Sequence, residues 1–259
     1  RVPLGMSIIM TLVSEKGHEI DLFDTTFLLS SDNTDNILRE QSNLVLPTDS
    51  SHLYDPHSQE EVDEMFREKI RSFSPDLLAV TILEENYELA DRLLGIAKSL
   101  DRNIMTIVGG STPTVVPEVV IENPLVDYLI QGEGEGAMEE FCDFFERGKP
   151  VDEVRNLWYK KNGKVHSNAI RPYVDLDTLP IQNLDLWNPG HFMKAYEGKL
   201  RKIGSFELSR GCPFKCSFCH TGNDYFQKIH MFSIERIKKE LEYIAVRSNK
   251  NKNTVPVSS

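Results

Sequence analysis

Three of the four cysteines lie together in Cys212-Pro-Phe-Lys-Cys216-Ser-Phe-Cys219, a C-x3-C-x2-C spacing. Thiolates are soft ligands, suited to iron–sulfur clusters, zinc or copper(I). A [4Fe–4S] cluster ordinarily takes four cysteines. Three closely spaced ones leave one iron without a protein ligand, and an open iron can bind a substrate or cofactor. The other reading is a structural zinc site of the three cysteines with His220. Such sites add a second ligand pair further along the chain. Downstream there is no cysteine pair, although His220 and His230 are available.

The cysteines are entered through Glu207-Leu-Ser-Arg-Gly211. Lys202 to Ser209 reads as a short strand, which Arg210-Gly211 breaks. The cysteines then sit on a loop at the carboxyl end of a strand, where α/β folds place their chemistry.

This stretch resembles the radical S-adenosylmethionine (SAM) signature C-x3-C-x-aromatic-C, with Phe218 as the aromatic residue. The match extends through Ser209-Arg-Gly-Cys-Pro-Phe-Lys-Cys216. The resemblance implies that Cys212, Cys216 and Cys219 bind a [4Fe–4S] cluster. It further implies that the open iron chelates the amino and carboxylate groups of SAM, with Phe218 beside the adenine. An external one-electron reductant, such as flavodoxin or ferredoxin, would then drive SAM cleavage to a 5′-deoxyadenosyl radical or a related reaction.

The rest of the chain must position this loop. Its 259 residues suffice for one large domain or two ordinary ones. With 40% hydrophobic and 27% charged residues the composition is that of a globular protein. A formal charge of -11 argues against a dedicated nucleic-acid binder, which needs Lys and Arg to neutralise phosphates. No apolar run reaches the ~18 residues of a membrane span. Four cysteines, three of them clustered, do not make a disulfide framework and fit a reducing cytoplasm.

In order, Met6 to Val13 predicts a buried helix closed near Gly17, and Glu19 to Asp24 alternates like a strand. Residues 30–58 are polar and read as an irregular connection. Within it Asp55-Pro-His57-Ser-Gln-Glu60 imitates the cobalamin motif D-x-H-x-x-G, but Glu60 replaces the glycine, and loop chemistry explains it better. Helices follow over Glu60–Phe73 and Tyr87–Leu100, around the apolar run Leu77–Ile82, a strand buried on both faces. Further strands are expected over Asn103–Val108 and Val126–Ile130, with helices over Pro117–Glu122 and Ala137–Glu146. Cys142, in that last helix, reads as a small buried hydrophobe.

Alternating strands and helices imply a Rossmann-like, doubly wound parallel α/β sheet. Four strands are legible, and the fold needs one more before Pro3-Leu-Gly5. The chain therefore reads as beginning after its true first strand, with a gap in mid-sheet. The stretches Asp24–Thr26, Thr81–Asn86, Gly109–Thr114 and Gly132–Glu135 all follow strands and share the ligand edge of such a sheet. Gly132-x-Gly134-x-Gly136 is acidic. Glu133 and Glu135 would repel a phosphate, so the run reads as a turn.

The order Pro-Leu-Gly-Met, Gly-His-Glu-Ile-Asp-Leu-Phe-Asp, Pro-Asp-Leu-Leu-Ala-Val-Thr, Val-Gly-Gly-Ser-Thr-Pro-Thr and Asp-Tyr-Leu-Ile-Gln-Gly-Glu-Gly-Glu resembles the B12-binding domain of cobalamin-dependent radical SAM proteins. By that resemblance a cobalamin lies across the carboxyl edge, facing the cluster. Thr81, Gly109, Gly110, Thr112 and Gly132 match cofactor-contacting positions. No histidine is nominated as a lower cobalt ligand.

Three regions are expected: a B12-binding-like domain over 1–148, a linker over 149–199, and the start of a radical SAM barrel over 200–259. The linker carries a small hairpin about Asn162-Gly163. The last region holds one βα unit, with Ser233 capping a helix whose inner face is Ile234, Ile237, Leu241 and Ile244. A full eight-unit barrel takes about 200 residues or more. The resemblance implies a radical SAM enzyme whose commonest chemistry is methyl transfer to an unreactive centre of a small-molecule or natural-product substrate. A radical rearrangement or cyclisation stands beside it. The alternatives are a non-catalytic cobalamin-binding or scaffold fragment, and the zinc module.

Overall fold

The computed structural model describes residues 2–28, 34–219 and 228–250. Helix α1 (Leu4–Glu15) closes where Gly17 turns left-handed at φ +95°. The polar stretch after it holds a short helix, α2 (Thr34–Gln41), where only irregular chain was expected. Helix α3 (Gln59–Phe73) starts on a reciprocal cap: Glu61 N–H donates to Ser58 Oγ, and Ser58 N–H donates to the Glu61 carboxylate. Its buried face is Val62, Phe66 and Ile70. His57 sits in the loop before it, against Asp55 and Glu61, in keeping with the loop reading of that stretch.

The alternation then proceeds through β1 (Leu77–Thr81), α4 (Tyr87–Leu100), β2 (Met105–Gly109), α5 (Ser111–Val115), α6 (Pro117–Glu122), β3 (Tyr128–Ile130) and α7 (Glu135–Arg147). Strands β4 (Leu157–Lys161) and β5 (Lys164–Ser167) form the hairpin expected about Asn162-Gly163, both at positive φ. The hairpin joins the sheet, whose order is β1-β2-β3-β4-β5. The sheet is therefore mixed rather than wholly parallel: β1–β2 and β2–β3 are parallel, β3–β4 and β4–β5 antiparallel. Alternate strand residues feed two cores. Val108 and Leu129 pack with Leu94, Val120 and Ile121 on one face. Ile107 and Ile130 pack with Met138, Phe141 and Leu157 on the other. Leu129 is fully buried, so Leu129→Ala should destabilise the chain by about 2–5 kcal/mol, read from urea unfolding.

The strand expected over Glu19–Asp24 does not form. Those residues run without a ladder. Between them and β1 lies a cavity of about 520 Å³, lined by α1 and α7 and by α3 and α4. A strand exists only through hydrogen bonds to a neighbour, and the nearest candidate stands across this cavity. The cavity also explains why β1, expected to be buried on both faces, is only half-buried, with Ala79 exposed.

The strand expected over Lys202–Ser209 is corrected too. Lys202 ends β7 (Lys199–Lys202), which forms a separate hairpin with β6 (Met193–Tyr196). Only Ser209–Arg210 (β8) carries the strand on, paired antiparallel with β9 (His230–Met231). Residues 204–207 lie in neither ladder.

Helix α8 (Ile234–Lys250) begins at Ser233, whose Oγ accepts from Arg236 N–H. Its expected inner face is only partly inward. Ile234 is 66% and Leu241 41% exposed, while Arg236 and Glu240 are buried. The helix docks on the extended bridge 177–187, whose backbone carbonyls need donors. Arg236 reaches the carbonyls of Asp177, Leu179 and Pro180. Arg247 reaches the Leu184 carbonyl and the Asp185 carboxylate. Polar bonds, more than the apolar stripe, set the helix's rotation. No described helix is long and apolar enough to cross a membrane.

Candidate functional site

The carboxyl edge of the sheet gathers the five nominated residues of the first domain. Thr81 and Gly109 are register partners at the ends of β1 and β2. Ile82 N–H donates to the Gly109 carbonyl at 2.7 Å, and Thr112 N–H donates to the Ile82 carbonyl at 3.3 Å. Gly110 lies between them at φ +113°, ψ -169°, a region only glycine occupies without strain. A Cβ there would stand 2.5 Å from the Ile82 carbonyl oxygen. Gly110→Ala should therefore cost about 1–3 kcal/mol from backbone strain alone. It should also lower the melting temperature and distort this edge.

Two residues not singled out from the sequence bolt the edge together. Thr114 Oγ1 donates to the Gly110 carbonyl at 2.7 Å and accepts from Gly132 N–H at 3.0 Å. Gln131 donates to the Thr114 carbonyl and accepts from Trp158 Nε1. Thr114 closes the same polar stretch as Gly109, but a hydroxyl's bonding partner 18 residues away carries no local signal.

Asp24, expected on the same edge, is committed to structure. It accepts from Thr26 N–H and Thr26 Oγ1, and it stands 2.6 Å from Nε2 of buried His191. Burial acts to raise its pKa, but the bonds from His191 and Thr26 outweigh this and hold the carboxyl below its ordinary 3.8. A depressed folded-state pKa contributes stability that is present above the unfolded value and lost as pH falls through the folded one. The expected result is that Asp24→Asn flattens the acid limb of the stability profile below pH about 4. Fluorescence reports it, because Trp187 packs edge-on against His191.

The cysteine loop leaves β8. Cys212 is half-buried, and Cys216 and Cys219 are exposed. Cys219 N–H donates to the Cys216 carbonyl at 3.1 Å. Phe218 is 86% exposed. Among the described residues, no three or more His, Cys, Asp or Glu side chains are grouped so as to hold a metal ion. Three cysteines on one accessible loop suit a thiolate-bound cluster by type. His220 lies outside the described residues. His230 is committed elsewhere: it stacks on Tyr173 at 4.7 Å and its Nε2 stands 3.0 Å from Glu133 Oε1. Cys142 is a different thiol, buried in α7, and burial pushes its pKa up to about 11.

The sequence reading of Gly132-Glu133-Gly134-Glu135 as a mere turn missed what its acids do. Glu133 and Glu135 are 5% and 3% exposed. Both carboxylates bind Arg210, two residues before Cys212: Arg210 Nη1 stands 3.3 Å from Glu133 and Nη2 2.7 Å from Glu135. Arg210 Nε completes a fork on Glu207 at 3.0 Å. Burial acts to lower the Arg210 pKa, but the carboxylates of Glu135 and Glu207 overcome it and raise the value. The other oxygen of Glu133 accepts from Val174 N–H at 3.0 Å. Thus the last turn of the sheet edge is joined by buried charge to the root of the cysteine loop.

A model of the B12 binding domain matches residues 2–142. An uncharacterised methyltransferase of Pyrococcus horikoshii is 32% identical over 177 residues, covering 68% of this chain and 38% of that protein. The anaerobic magnesium-protoporphyrin IX monomethyl ester cyclase of Rubrivivax gelatinosus is 30% identical over 167 residues, covering 61% of this chain and 29% of that one. The chain thus spans less than two fifths of either relative. Among solved structures, TsrM from Kitasatospora setae, a radical SAM methyltransferase with cobalamin and a [4Fe–4S] cluster bound, has a TM-score of 0.64. Its identity is 14%, over 95% of this chain and 44% of TsrM, so that likeness concerns the fold.

Proposed function

Because this chain belongs to the B12-binding-domain family, we propose that the carboxyl edge of its sheet holds a cobalamin and that the cysteine loop holds a [4Fe–4S] cluster. The whole protein would then be a radical SAM enzyme, most simply a methyltransferase. The observation that carries this reading is the buried Arg210–Glu133–Glu135 joint. It sets a C-x3-C-x2-C loop next to the edge of a domain matched as B12-binding.

In this reading Thr81, Gly109, Gly110, Thr112 and Gly132 line the cobalamin edge. The glycines allow a flat macrocycle close approach to the backbone. Thr114 keeps the two loops of that edge in register. Cys212, Cys216 and Cys219 supply thiolates, and the exposed ring of Phe218 offers a stacking face to adenine. When bound, the cluster and SAM supply a radical that activates the substrate, and cobalamin carries a methyl group. The protein's own part is to bind, orient and shield these groups. The substrate class is a small molecule or natural product, and the electron comes from an external flavodoxin- or ferredoxin-like reductant. Methyl transfer is supported by the name of the Pyrococcus relative. The name of the Rubrivivax relative favours a second reading, radical cyclisation.

The cobalamin half is tested by titrating the chain with hydroxocobalamin and following its visible spectrum and co-elution on gel filtration. Stoichiometric binding, weakened in Gly110→Ala, is expected. A spectrum unchanged by protein, with no co-elution, would contradict it. Cobalamin binding without any iron uptake would instead favour a cobalamin-binding scaffold.

A further inference from the structure

The acidic turn after β3 has a role that goes beyond holding the fold. Glu133 follows Gly132, the end of the proposed cobalamin edge, and lies 77 residues from Arg210 in the chain. One of its oxygens faces both Arg210 and His230, and the other takes the Val174 N–H. Three separate segments therefore meet on one carboxylate: the root of the cysteine loop, the strand β9 that pairs with β8, and the connector. Gly132 itself is fixed by Thr114, and through Thr114 by Gly110. A continuous set of bonds thus runs Gly110–Thr114–Gly132–Glu133–Arg210, ending two residues before Cys212. In surroundings this buried, drawing Glu133 away from Arg210 breaks one contact of a shared charge network, which is unfavourable.

We propose that Glu133 is a positioning residue that couples the two loops, so that a ligand ordering the Gly132 edge also orders the cysteine loop. Coupling of this kind is reciprocal, and cluster assembly should order the Gly132 edge in turn. Glu135 reinforces the joint from the first turn of α7 through Arg210, whereas the described contacts with His230 and the Val174 N–H are those of Glu133. The coupling takes the identity of its ligands from the function proposed above. The joint itself does not depend on that function.

Hydrogen exchange of the full 259-residue chain separates the two. Without cofactors, Glu133→Gln keeps the side-chain shape and removes the charge. It is expected to speed exchange over residues 207–219 by about tenfold or more while β1 and β2 exchange as before. Unchanged exchange at 207–219, or a uniform rise over the whole sheet, would overturn the positioning role. With hydroxocobalamin added to the unsubstituted chain, protection is expected at 109–114 and 130–135 and also at 207–219. In Glu133→Gln the first two should persist and the third should vanish. Protection at 207–219 that survives the substitution, or that never appears while the edge is protected, would overturn the coupling. If hydroxocobalamin protects nothing, the function proposed above fails at the cobalamin, and the ligand-free comparison still decides the positioning role.

Discussion

Replacing any one of Cys212, Cys216 or Cys219 with alanine is expected to abolish cluster assembly. Iron and sulfide after anaerobic reconstitution should fall from about four each per chain to near zero. The argument is one of ligand number. A [4Fe–4S] cluster on three cysteines already has one iron without a protein thiolate. Removing a second thiolate leaves two, on a loop where Cys216 and Cys219 face solvent and no described carboxylate or histidine is grouped to substitute. Cys142→Ala is the internal control. Its thiol is buried and pushed up to about 11, so thiolate is scarce at neutral pH. That variant should take up iron as the unsubstituted chain does. About one zinc and no sulfide in the unsubstituted chain would instead identify a zinc module.

The second large effect belongs to Arg210. Arg210→Met fills a similar volume but leaves Glu133 and Glu135 buried without their shared cation. A buried pair broken on one side typically loses about 3–5 kcal/mol, and urea denaturation at neutral pH should show a loss of that order. Arg210→Lys keeps the charge but cannot present three nitrogens to three carboxylates. Its loss should be smaller and its cluster content lower than that of the unsubstituted chain. Adding Glu135→Gln to Arg210→Met should recover part of the stability, because one of the stranded charges is gone. A double variant no more stable than the single one would mean that the two side chains are not energetically linked.

How much of this was legible before the structure depends on how local the cause is. The helices were read well where apolar spacing is clear: Val62, Phe66 and Ile70 mark α3, and Gly17 closes α1. The runs Leu77–Ile82 and Asn103–Val108 were legible as strands by their continuous apolar character. The stretches Glu19–Asp24 and Lys202–Ser209 carry strand-like patterns, yet a pattern cannot supply the neighbour that a ladder requires. Helix α8 was rotated from its expected face because Arg236 and Arg247 bond carbonyls of a bridge more than 50 residues earlier. The same limit applies at the site. The three cysteines and the glycines after β2 and β3 stand out by type and spacing. The acids of the Gly132 turn looked like mere repulsion of phosphate, because their partner Arg210 is distant in sequence and the burial that makes the pairing matter is a property of the fold.

The central claim, that the cysteine loop carries a cluster whose open iron binds SAM, is tested most directly by electron paramagnetic resonance. The chain is reconstituted anaerobically with iron and sulfide, reduced, and measured with and without SAM. The account predicts a [4Fe–4S]+ signal whose shape changes when SAM is added, as expected for a ligand reaching the open iron. The absence of a cluster signal, with the thiols of Cys212, Cys216 and Cys219 still free to alkylate, would contradict it at its root, and a cluster signal indifferent to SAM would contradict the role of SAM.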